Sequence, residues 1–219
     1  MCSRLSLINE TELELKKVFT TSKKMTAAVT AGLLILLSAC TPINSAATVG
    51  KTTISIDKVQ KTVDEMLSER TKVTTTGMTL DTGEVLNRNQ VTFFVISELL
   101  YQLGTSHKIK VTEQEVSDEI KKITTQVGGS AKLPAALVNA GIAPQNIREY
   151  FRTYLMSAKI SNALLSSGVS SAEVSTAVQK LVADEADKLK VSINPRYGTW
   201  DSANATIVAG KLAAGSVKK

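Results

Sequence analysis

Thr112-Glu113-Gln114-Glu115-Val116 is the stretch that decides the fold. Thr112 and Glu115 form a capping box: the hydroxyl accepts from the backbone N–H three residues on, and the carboxylate reaches back to the N–H of the cap. Val116, Ile120, Ile123 and Val127 follow at spacings of four, three and four, which places them on one face of a helix. Gly128-Gly129 ends it. The segments on either side read the same way, so the chain is predicted to be mainly α.

Downstream, a short helix is predicted from about Leu133 to Ala140, ending at Gly141. Pro144 then suits the first position of a long helix through Ile147, Phe151, Tyr154, Leu155 and Leu164, closed by Gly168. Ser170 and Glu173 predict a second capping box, for a last helix carrying Val174, Val178, Leu181 and Leu189. Upstream, a helix from Asn87 or Asn89 to about His107 contains Val91 to Ile96, apolar almost all round, which suits a central position. Before it, the Thr-rich run Thr71 to Gly83 reads as a polar loop. Ser55 caps a helix that ends near Arg70 and shows Ile56, Val59, Val63 and Leu67 on one face.

The two ends of this region differ from its middle. Ala46 to Val49 and Thr52 to Ser55 flank Gly50-Lys51, and glycine at the first central position suits a type II′ hairpin. Val191-Ser192-Ile193-Asn194 alternates like a strand before Pro195 and has only that hairpin to pair with. One small sheet is therefore expected to join the two ends. From Asp201 onward the Ala, Gly, Ser and Lys composition without steady periodicity predicts a mobile tail.

Nearer the start, Lys23-Lys24 precede an apolar run, Ala27 to Leu37, too short for the roughly 20 residues of a spanning helix. Leu37-Ser38-Ala39-Cys40 follows and resembles the bacterial lipobox, which implies cleavage before Cys40 and a lipid on its thiol. At about 0.8 kcal/mol per buried CH₂, two or more acyl chains hold a protein on a bilayer where one does not. Glu10, Glu12 and Glu14 stand where a basic region is expected, so a true start at Val18 or Met25 is the expectation. The domain reading is residues 1–39 signal peptide with an artefactual extension, 40–45 lipidated linker, 46–201 helical domain and 202–219 disordered tail.

The chain carries 26 Lys and Arg against 20 Asp and Glu. Without residues 1–39, which hold five of the former and three of the latter, the net charge is about +4. The basic residues are scattered among acids, so no nucleic-acid partner is expected. Cys2 leaves with the signal and Cys40 is acylated in this reading, so no disulfide forms. His107 is the single histidine, at a helix end. Zinc sites and Cys-His nucleophiles are thereby excluded, and neither a phosphate-binding Gly loop nor a GxSxG elbow occurs. No enzyme, metal or cofactor is expected.

The hairpin with its Gly turn, Ile54-Ser55-Ile56-Asp57-Lys58-Val59, Lys108-Ile109-Lys110-Val111-Thr112-Glu113-Gln114-Glu115-Val116 and Tyr150-Phe151-Arg152-Thr153-Tyr154-Leu155 together resemble the N-terminal chaperone domain of SurA-type folding factors. Val191-Ser192-Ile193-Asn194-Pro195-Arg196-Tyr197-Gly198-Thr199-Trp200 also looks like the closing strand of related lipoproteins. The resemblance covers nearly all of residues 46–201 and implies a SurA N-terminal-like helical domain with a small sheet formed by the N-terminal hairpin and a C-terminal strand. SurA-like and PrsA-like foldases usually carry parvulin isomerase domains before the closing strand. Here Gly168 to Lys190 holds one helix, and the resemblance implies a client-binding module without that activity.

The implied function is that of an ATP-independent holdase for exported polypeptides, moored by Cys40 on the extracytoplasmic face of the cell membrane. The alternative is an adaptor lipoprotein that binds one folded partner. Client contact needs exposed apolar surface, for which Phe93, Phe94, Tyr150, Tyr154 and Met156 are the candidates, with Phe94 and Phe151 the more structural of the aromatics.

Overall fold

The computed structural model describes residues 44–210. The signal, Cys40 and residues 211–219 of the expected tail lie outside the described residues. Two antiparallel strands open the fold, β1 (Ser45–Val49) and β2 (Thr52–Ser55). Six α-helices follow among the described residues: α1 (Ile56–Arg70), α2 (Gly83–Ser106), α3 (Glu113–Gln126), α4 (Leu133–Asn139), α5 (Ile147–Ser166) and α6 (Val174–Lys188). A turn of 3₁₀-helix, Pro144–Asn146, leads into α5, and β3 (Ser192–Ile193), β4 (Thr199–Asp201) and β5 (Thr206–Val208) follow α6.

The hairpin forms where its turn residues place it, with Val49 opposite Thr52 and Gly50 at φ +58°. Its tip is fixed from outside, because the Gly50 N–H donates to the carbonyl of Leu189 at 2.8 Å. β1 is the middle strand of the order β2-β1-β3 and is buried almost throughout. A bulge between Ser45 and Ala47 turns three consecutive small residues inward, and only side chains of that size fit there. The two ends of the domain do meet in one sheet: Ala47 pairs with Ile193 and Thr48 with Ser192. Asn194 locks the junction, its backbone N–H donating to Ala46 O and its side-chain amide to Ser45 O, both at 2.9 Å.

α2 is the axis of the helical body. Leu86, Val91, Phe94, Val95, Leu99, Leu100 and Leu103 are all buried, and α1, α5, α6, β1 and β5 pack around them. Close to its end, α2 meets α5 at Gly104, where a β-carbon would lie 2.3 Å from the Met156 sulfur. Glycine is needed there for the approach rather than for its backbone freedom. Lys108 and Lys190 take the left-handed conformation after α2 and α6, at φ +57° and +52°. In each case the next N–H returns to the helix, Ile109 to Gly104 O and Val191 to Ala186 O, so both helices close with the hydrogen bonds of a Schellman motif but without its usual glycine.

α3 has the capping box read from Thr112 and Glu115, both halves of it. Its apolar face is less covered than its periodicity suggests: Val116 is fully buried, whereas Ile120, Ile123 and Val127 are half-buried.

Several boundaries differ from the sequence reading. α2 begins at Gly83, four residues before Asn87, because Leu86 is drawn into the core and the chain must already be helical there. Leu67 is 45% exposed, and the buried stripe of α1 is Val59, Thr62, Val63 and Met66. The Ser170 hydroxyl bonds to the Glu173 carboxylate itself at 2.6 Å, so the second box does not close and α6 starts uncapped at Val174. The largest correction concerns the tail expected from residue 202. Thr199 to Val208 instead form a β-hairpin, β4 paired with β5, whose turn is built on Asp201. That carboxylate accepts from the Ala203 and Asn204 backbone N–H groups and from the Asn204 side chain, whose bond leads in holding the carboxyl below its usual range. Gly198 makes the hairpin possible, since a β-carbon there would stand 2.0 Å from Val208 O. Tyr197 and Ile207 are buried beside α2, and Arg88 Nε donates to the Tyr197 carbonyl. Burial raises the pKa of the Tyr197 hydroxyl.

Candidate functional site

Two openings flank α2, and the client-contact candidates other than Tyr154 divide between them. The first is a cavity of about 270 Å³ beneath the loop between α1 and α2. Thr79, Leu80 and Asp81 of the loop cover it. Met66 and Arg70 from α1, Gln90 and Phe93 from α2, and Tyr150 from α5 form its walls. Phe93 and Tyr150 stack at 6.2 Å between ring centroids and 28° between planes, so these two side chains do come together. Phe151 stands edge-on to Tyr150 at 5.4 Å and is buried. Arg70 ties the loop down by donating to Asp81 O at 2.7 Å, and Asn89 donates to the Asp81 carboxylate.

The second opening is a groove of about 430 Å³ between β2, α2 and α5. One side is Thr52, Thr53 and Ile54. Phe94, Tyr101 and Met156 contribute its apolar surface. Lys58 from the first turn of α1 spans one part of it: its ammonium sits 4.0 Å from the Phe94 ring centroid and 3.1 Å from the Glu149 carboxylate. Thr52 Oγ1 donates to Glu98 Oε1 at 2.9 Å, which holds the strand to α2.

Two of the expected surface residues are placed otherwise than the sequence suggests. Met156 is only 5% exposed and faces Gly104, so it is a core residue that merely lines the groove. Its helical neighbour Tyr154 is 52% exposed and lines neither opening. The five candidates therefore do not form one surface. Phe94, 2% exposed, is structural, as its position in an all-apolar run implies. Sequence reasoning missed Tyr101, which is 54% exposed at the mouth of the groove, and the strand Thr52–Ser55 as a wall. An isolated aromatic ring late in an apolar helix was the available signal for Tyr101.

The start of α3 is clamped to α5 beside the groove by charge. Glu113 accepts from Arg148 at 2.7 Å and from Arg152, whose side chain lines the groove. These bonds, Arg148's first and Arg152's next, hold the Glu113 carboxyl below its usual range. Lys159 donates to Glu115 at 2.6 Å and to Lys110 O at 2.7 Å. The Lys159 bond, followed by that from the Thr112 backbone, lowers the Glu115 pKa to about 2. Among the described residues no group of three or more His, Cys, Asp or Glu is placed to hold a metal ion, and no helix is long and apolar enough to cross a membrane.

A helical body built on one central helix, begun by a hairpin and completed by a strand that returns to it, is the arrangement implied by the resemblance read from the sequence. The family model described as "SurA-like N-terminal domain" matches residues 20–161. The chain belongs to this family. SurA-like N-terminal domains are chaperone-type modules linked to the binding of polypeptide substrates. No curated protein and no solved structure matches the chain. The family match ends inside α5, so α6, the closing strand and the second hairpin lie beyond it.

Proposed function

We propose that this protein is a membrane-tethered, extracytoplasmic holdase that shields exported polypeptides without using ATP, anchored through a lipid on Cys40. The observation that carries this reading is the open groove beside α2 in a SurA-like N-terminal body, where Tyr101 and the Thr52–Ser55 strand remain accessible. Tyr101 offers apolar contact to an unfolded segment above a floor of Phe94 and Met156, and a rim of Thr52, Thr53 and Thr153 keeps the surface wet enough to stay soluble. Such a site binds weakly and releases without an energy source, which suits a holding role. The anchor concentrates the site near chains emerging at the membrane.

The test uses the mature chain from residue 40 with Cys40→Ser and an unfolded reporter protein whose aggregation is followed by light scattering. Slowed aggregation at near-stoichiometric ratios is expected. Unchanged aggregation together with copurification of one folded protein at fixed ratio would replace the holdase by an adaptor. For the anchor, labelled palmitate is expected to enter the native chain and not the Cys40→Ser chain.

A further inference from the structure

We propose that the groove takes an extended, non-acidic polypeptide segment as an added strand on the outer edge of β2. The inference rests on the holdase reading and specifies how a client is held. β2 is the edge of the order β2-β1-β3 and has no strand on its outer side among the described residues. The two-residue turn makes Val49 and Thr52 the hydrogen-bonded closing pair. The next pair, Thr48 and Thr53, therefore directs the Thr53 N–H and C=O away from β1. Thr53 is exposed and lines the groove, so a donor and an acceptor of the main chain without a partner among the described residues face the open space.

Only another extended backbone offers the matching acceptor and donor at strand spacing. A strand laid there alternates its side chains, with every second one turned toward the helices that carry Phe94, Tyr101 and Met156. The charged residues of the groove already have partners. Lys58 pairs with Glu149, Arg152 with Glu113, and Glu98 accepts from Thr52 and from Gln102 at 2.6 Å. Glu98 alone is held by neutral donors, with no cation against it among the described residues, so an acidic segment is repelled and a neutral one is accepted. Recognition through the main chain accepts many sequences, the property a general holdase needs.

The experiment uses the mature chain with Cys40→Ser and a blocked decapeptide of alternating Val and Ser, read by isothermal titration and by amide exchange at Thr53. Two further peptides carry N-methyl groups on alternate residues, one on each of the two edges of the strand. The proposal expects the Thr53 N–H to be protected on binding. It also expects one N-methylated peptide to bind about tenfold more weakly, through the loss of the hydrogen bond to the Thr53 C=O and the clash of its methyl groups with the edge of β2, while the other keeps its affinity. Thr53→Pro removes the outward N–H without touching the β1 ladder and should weaken the parent peptide similarly, with unchanged circular dichroism. Equal binding of all three peptides, or an unprotected Thr53, overturns the strand-addition mode while leaving the holdase intact. If the parent peptide fails to bind, strand addition falls, and the light-scattering assay separately decides whether the holdase falls with it.

Discussion

α2 and α3 are held to the same body by different forces. α2 has low amphipathic contrast because nearly every side of it is covered, and its stability comes from apolar contacts that neither salt nor pH reaches. α3 has the strongest periodicity of any helix here, yet only Val116 is fully buried and its start is fastened by Glu113 and Glu115 to three cations of α5. The clarity of a hydrophobic pattern thus reports how one-sided a helix is, not how deeply it is packed. The more legible helix is the more loosely held one.

The sharpest way to break this comparison is to truncate a branched aliphatic side chain on each side of it in turn. Leu99→Ala at the fully buried centre of α2 is expected to cost about 2–5 kcal/mol in urea unfolding, whereas Ile123→Ala on half-buried α3 should cost about 1 kcal/mol or less. Equal losses would mean that α3 is packed as tightly as α2. Next in size, Gly104→Ala forces Met156 out of its place between α2 and α5 and is expected to lose about 1–3 kcal/mol. Gly104→Ala should cost less in a Met156→Ala background, where the room already exists, a coupling that a double-mutant cycle measures.

Thr112→Ala deletes the cap of α3 and should remove about 0.5–2 kcal/mol, seen first as faster amide exchange in α3 with α2 unchanged. The smallest effect is that of acid. Glu115 titrates at about 2 in the folded chain against an ordinary 4.5, so its contribution is complete above about pH 4.5 and disappears as the pH falls toward 2. Because the pair with Lys159 is partly exposed, it amounts to no more than about 1 kcal/mol. Amide exchange in α3 should rise over that interval, and Lys159→Met should weaken the dependence, leaving the part that comes from the Thr112 backbone bond.

What the sequence disclosed was whatever is decided locally. Ser55 and Thr112 cap helices through atoms three residues away, and Gly50-Lys51 turns a hairpin by its own backbone preference. Even the pairing of β1 with β3 followed from there being no other apparent partner. What escaped depended on residues far apart in the chain. Met156 is buried because α2 has a glycine at position 104, and Tyr154 two residues before it is exposed because no element among the described residues packs over that side of α5. The β4–β5 hairpin escaped because its Ala and Ser content resembles a linker, and its order comes from the Asp201 turn and from Tyr197 and Ile207 docking on α2. Of the site, Phe93 and Tyr150 were each named from the sequence but their stacking was not, and the open edge of β2 depends on which strand lies in the middle of the sheet.

The central position of β1 has a consequence in time. A chain delivered from its N-terminus releases Ser45–Val49 early, but the strand that covers the second side of β1 is nearly 150 positions behind, as the Asn194 to Ser45 bond measures. Contacts of such long sequence separation form late. Until Ile193 arrives, the nascent domain presents β1 with one bare edge, in the state most prone to mispairing. Completion of the fold therefore awaits nearly the whole domain, and a chain stalled before residue 193 lacks the step that closes it.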